Sequence, residues 1–142
     1  MSLTFDTPKL ELDACITKVQ ITDLDCNPNR VIDTDEGFQI NVDWHLEGCG
    51  ALYLGGCWTV RALVESIGEG FEGQIGRTMD VPLNGGFDYS TVINVPAHTV
   101  PPPEGTDTVY KLVVLIAHTA VNGQKTEMAG FGEGPYFEVR KP

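Results

Sequence analysis

Between Phe38 and Leu46 apolar and polar side chains alternate without a break: Phe38, Ile40, Val42, Trp44 and Leu46 are apolar, and Gln39, Asn41, Asp43 and His45 lie between them. Successive side chains on a strand point to opposite faces, so five apolar groups share one face and four polar groups the other. A helix would scatter the same residues round its circumference, and the period therefore predicts a half-buried β-strand. Cys15, Thr17, Val19 and Ile21 alternate with Ile16, Lys18, Gln20 and Thr22 and predict another. Trp58 to Ile67 carries apolar residues on both faces, as does Val109 to Thr119, the most apolar segment of the chain. Both belong near a sheet centre, the second packed against the Phe38 strand.

Turn chemistry supplies the punctuation. Asn84-Gly85-Gly86 separates Thr78–Leu83 from Phe87–Val95 and predicts a hairpin, because both turn residues tolerate positive φ; Pro82 puts its first arm on an edge. Glu47 to Gly56 and Gly68 to Arg77 read as Gly-rich connections, and Asp23 to Gly37 as an acidic loop. Pro101, Pro102 and Pro103 make Pro96 to Thr108 an extended crossing between distant strands. Asn122-Gly123 turns the chain into a last strand, Lys125 to Lys141, interrupted at Phe131-Gly132-Glu133-Gly134-Pro135, where paired glycines suit a bulge. Met1 to Asp13, broken by Pro8, reads as a kinked edge strand or an arm.

No repeat, convincing helix or internal linker interrupts this series, and 142 residues fit a single domain spanning the whole chain, 1–142. About seven or eight short strands with a long late crossing predict an all-β, antiparallel Greek-key β-sandwich, with a jelly-roll sandwich as the alternative. The pattern resembles the immunoglobulin-like and fibronectin-like superfamily. Trp58 lies on the strand after the first core strand, and Phe131-Gly132-Glu133-Gly134 followed by Phe137-Glu138-Val139-Arg140 looks like the Phe-Gly-x-Gly last strand of immunoglobulin variable domains. The chain departs from antibody domains in having no cysteine at a core position of the Phe38 or Val109 strands, so the resemblance implies a sandwich without the inter-sheet disulfide.

Charge narrows the partners. Twenty Asp and Glu against nine Lys and Arg give a net charge of -11, which repels phosphate backbones and anionic head groups and argues against nucleic acid. No apolar run approaches the ~20 residues of a membrane span. The N-terminus lacks the basic-then-apolar layout of a signal peptide, so the chain as written reads as cytoplasmic, or as extracellular if a signal peptide was removed. Of the four cysteines, Cys15 and Cys26 are too far apart along a strand to pair, whereas Cys49 and Cys57 close a short Gly-rich loop and could form a disulfide.

Candidate chemistry is sparse. Asp23, Asp25, Asn27, Asp33 and Asp35, with Glu36 beside them, offer the hard oxygen ligands of a Ca2+ site. Pro28 stands where an EF-hand loop needs glycine, and Asx-rich loops also form because Asp and Asn cap turns. His45, Cys49 and Cys57, completed by His98, His118 or Asp43, could ligate zinc, but without a Cys-x-x-Cys knuckle. Leu52, Tyr53 and Leu54 form an apolar tip that could contact a sugar or a protein. No Gly-x-Ser-x-Gly elbow is present. The reading is a non-enzymatic module for a protein partner or for self-association, with no required cofactor. A carbohydrate- or other ligand-binding sandwich, Ca2+-assisted or not, and an enzyme with scattered carboxylates are the alternatives.

Overall fold

The computed structural model describes residues 12–48, 55–67, 71–101 and 108–140. The predicted arm before Leu12 lies outside them. Among the described residues eight strands follow in order: β1 (Asp13–Thr22), β2 (Val31–Asp33), β3 (Phe38–Glu47), β4 (Cys57–Ser66), β5 (Gly73–Pro82), β6 (Asp88–Val95), β7 (Thr108–Thr119) and β8 (Lys125–Arg140). They build two sheets, a three-stranded one in the order β1-β3-β6 and a five-stranded one in the order β2-β8-β7-β4-β5. All pairings are antiparallel except β2 with β8.

The alternation of β3 decides how the sheets meet. Its five apolar residues are at most 3% exposed, while Gln39, Asn41, Asp43 and His45 face outward. Against them pack Trp58, Val60, Ala62 and Val64 of β4 and Tyr110, Leu112, Val114 and Ile116 of β7, in one core shared by both sheets. Full burial of each large side chain contributes about 1.5–3 kcal/mol. Trp44 meets Trp58 edge-on at 6.0 Å and stacks on Tyr89 at 5.9 Å, so one aromatic cluster ties β3, β4 and β6 together. As expected, β7 is the middle strand of its sheet. The glycine bulge of the last strand is also present: Lys111 pairs with Tyr136 and Val113 with Glu133, leaving Gly134 and Pro135 opposite one residue.

Three expectations are corrected. The arms on either side of Asn84-Gly85-Gly86 do not form a hairpin, because β5 pairs with β4 and β6 with β3, in different sheets. Gly85 does take the positive φ of 77° and Asn84 Oδ1 accepts the Gly86 N–H at 2.8 Å, so the turn forms locally. Burial of Tyr89, Ile93 and Val95 in the core beside Trp44, Ile40 and Phe38 of β3 then carries β6 to the other layer. Second, the connection read over Gly68 to Arg77 is strand from Gly73 onward. Its alternation is obscured by two breaks in register against β4 and by Gly76. Third, the acidic loop contains β2, whose Val31, Ile32 and Asp33 pair with Glu138, Val139 and Arg140; buried Ile32 anchors it.

Candidate functional site

The two sheets meet along two sides, β6 over β5 and β1 over β8. On the second side the inner face of β8 is bare, since Gly130, Gly132 and Gly134 alternate along it. Side chains of β1 enter the space they leave. A Cβ at Gly132 would lie 2.8 Å from Ile16 Cδ1, and one at Gly134 2.8 Å from Val19 Cγ1. β1 is an outer strand, bulged between Ile16 and Lys18, with β3 as its one strand neighbour among the described residues.

Two adjoining depressions follow this side. The first is a cavity of about 170 Å³ whose walls include Cys15, Ile16, Trp44, Trp58, Gly130 and Phe131. Its walls are mainly apolar, and Phe131 is 61% exposed. Trp44 and Trp58 are each 2% exposed, and neither indole N–H has a hydrogen-bond partner among the described residues. Leaving a buried donor unpaired costs about 1–3 kcal/mol. The second is a polar groove of about 540 Å³ along Thr17 to Ile21, closed on its far side by Pro28, Asn29, Arg30 and Pro135. It holds Lys18 and Arg30, two cations on a chain of net charge -11. A hydrogen bond from the Asn29 N–H to the Ile21 carbonyl at 3.0 Å fixes the groove wall, and the Glu138 N–H donates to the Arg30 carbonyl at 2.7 Å.

The acidic loop divides into two parts. Asp23 Oδ1 accepts the N–H groups of Asp25 at 3.0 Å and Asn27 at 2.9 Å, so it is the acceptor of an Asx turn. Asp33, Asp35 and Glu36 bring carboxylate oxygens within 4.8 Å of one another; Asp23 and Asp25 do not join that group. The turn holding the three carboxylates is pinned by the Glu36 N–H on the Asp33 carbonyl and the Thr34 N–H on the Arg140 carbonyl, both at 3.0 Å.

The remaining candidates are dispersed. Leu52, Tyr53, Leu54 and Cys49 lie outside the described residues. The Cys57 thiol is 3.4 Å from Asp80 Oδ1. Desolvation first, then the hydrogen bond and charge of Asp80, push its pKa up, so it is a poor nucleophile at neutral pH. His45 lies on the outer face, Nδ1 2.7 Å from Asp88 and Nε2 3.5 Å from Glu47. Buried His118 donates from Nε2 to the Gly55 carbonyl at 2.7 Å, and its Nδ1 lies 2.9 Å from the Thr126 hydroxyl, which spends both ring nitrogens on structure. His45, Cys57, His98 and His118 form no common ligand group among the described residues. The β1–β8 side was missed by motif reading. The signal that could have found it is three glycines at alternate positions, a period that strips one face of a strand.

No protein-family model matches the chain, and no curated protein matches it. Among solved structures it is similar to the C-terminal domain of wzt, at 11% sequence identity and a TM-score of 0.62, over 96% of this chain and 81% of that one. It is also similar to part of a beta-glucosidase from Listeria innocua in complex with glucose, at 9% identity and a TM-score of 0.49, over 96% of this chain but 17% of that one. A third likeness is to beta-glucosidase 3B from Thermotoga neapolitana in complex with alpha-D-glucose, at 12% identity and a TM-score of 0.44, over 97% of this chain and 18% of that one. The first shows a shared fold and nothing about ligands. At their TM-scores the other two carry no argument.

Proposed function

We propose that this domain is a non-enzymatic interaction module, an immunoglobulin-like sandwich that takes an extended segment of a protein partner along β1. The observation that carries the reading is the groove beside Thr17 to Ile21, which runs along an outer strand and is lined by Lys18, Gln20, Asn29 and Arg30. An extended segment can use the backbone groups of an outer strand on the part of β1 before Ile21, whose carbonyl the Asn29 N–H already takes, and its side chains then meet the groove wall. Two features favour another protein over a second copy of this chain. The bulge at Thr17 and the charge of Lys18 blunt the strand against flat self-pairing, and a net charge of -11 opposes the approach of two copies. Local attraction to Lys18 and Arg30 acts within a Debye length of about 8 Å at physiological salt, which selects carboxylates close to the groove.

The test is selection from a displayed library of random ten-residue segments on the wild-type chain and on the Lys18→Glu/Arg30→Glu variant. Acidic segments are expected to enrich on the wild type and to be lost on the variant, with unchanged melting of the protein. Absence of enrichment, or enrichment indifferent to the charge reversal, overturns the groove reading. Saturable binding on a glycan array that the charge reversal abolishes would replace the protein partner with a carbohydrate.

A further inference from the structure

The cavity and the groove are consecutive stations on one strand. Ala14, Cys15 and Ile16 border the cavity, and Thr17 to Ile21 border the groove. From Cys15 to Val19, the midpoints of the two stretches, a strand rises roughly 13 Å. A bound segment running beside β1 rises at the same rate, so its residues at the two stations are about four positions apart. The stations differ in chemistry: one is walled by Trp44, Trp58 and Ile16, and the other presents Lys18 and Arg30.

Resting on the groove reading above, we infer that the β1–β8 side recognises a two-part sequence: one apolar anchor residue in the tryptophan-walled cavity and one or more carboxylates at Lys18 and Arg30, about four residues away. The volume of about 170 Å³ accommodates one large side chain and no more. Trp44 and Trp58 give the cavity aromatic walls, which favour an aromatic or large aliphatic occupant. Phe131, exposed at the cavity wall, supplies apolar surface that the anchor would cover on entry.

Gly130 gives a clean way to close the cavity, because a Cβ there meets nothing nearer than 3.9 Å, so a longer side chain can grow into the space. The same displayed library is selected on wild-type, Gly130→Leu and Ile16→Ala chains, with melting curves to confirm folding. The wild type should enrich segments with an aromatic or large aliphatic residue about four positions from Asp or Glu. Gly130→Leu should weaken the selected peptides roughly tenfold or more, while retaining their dependence on Lys18 and Arg30. Ile16→Ala, by enlarging the cavity, should shift the preference toward tryptophan. If acidic segments enrich without an anchor, or the selected peptides bind Gly130→Leu as tightly as the wild type, the two-part inference falls and the groove reading stands. If nothing enriches on any chain, both fall.

Discussion

The two sides of the domain solve the same packing problem in opposite ways. On the β5–β6 side a single glycine admits a close approach: a Cβ at Gly76 would lie 2.6 Å from Ile93 Cγ2, and Thr78 Oγ1 donates to the Val92 carbonyl at 3.4 Å. Strand lies against strand with Ile93 buried between them. On the β1–β8 side three glycines of one strand receive side chains from the other, and Ile16 and Val19 fill only part of the room. What remains is the cavity and the groove. One side is closed by removing a side chain at a single point of contact; on the other, Gly132 and Gly134 seat side chains of β1 and only Gly130 faces open room.

Graded substitutions break that contrast in order of expected size. Gly76→Val should cost about 3 kcal/mol, because its Cβ would lie 2.6 Å from the branch methyl of Ile93, which is buried in the core. Urea unfolding would read it as a lowered midpoint at unchanged slope, and a loss under 1 kcal/mol would mean this side is not tightly closed. Gly134→Ala should cost about 1–2 kcal/mol, since its Cβ would press on Val19 Cγ1 at 2.8 Å and on Leu112 at 3.1 Å, while Val19, only partly buried, can give. Gly130→Ala should be neutral to within about 0.5 kcal/mol, its nearest neighbours being in ordinary contact distance. Reversal of the order of Gly76 and Gly130 in this series would refute the assignment of open and closed sides.

How much of this was legible follows from what each signal depends on. The nine-residue alternation of β3 is local, and so is the bulge of β8; both were readable because strand period and glycine pairs act within the chain itself. The Asn84-Gly85-Gly86 turn was readable as a turn but not as a link between sheets, because which sheet each arm joins depends on the burial of Ile93 and Val95 beside Ile40 and Phe38 of β3, a non-local choice. Phe131-Gly132-Glu133-Gly134 was read by resemblance. Its glycines make room for Ile16 and Val19, a role that exists only once β1 lies over β8. Lys18 and Arg30 were unremarkable in sequence, being separated by the whole Asp23–Asn29 turn. Asp23, offered in the sequence both as a hard oxygen ligand and as a turn cap, is seen capping a turn through Oδ1.

The smallest expected effect tests what holds the open side in shape. The β8 bulge at Gly134 and Pro135, which forms part of the groove wall, is flanked by an ion pair on the outer face, Lys111 Nζ to Glu133 Oε1 at 2.7 Å. The hydrogen bond to Glu133 raises the Lys111 pKa above the usual lysine range, and the Glu133 charge adds to the rise against an opposing desolvation. A lysine raised on folding contributes stability that is fully present below its unfolded pKa, near ~10.4, and that is lost as pH rises through the higher folded value. With Glu133 59% exposed, solvent screens the pair and the contribution is small. The melting difference between wild type and Lys111→Met should therefore stay constant from neutral pH to about pH 9 and shrink above about pH 10. A gap that persisted unchanged through pH 12 would mean that Lys111 steadies the bulge through its aliphatic stem and not through its charge.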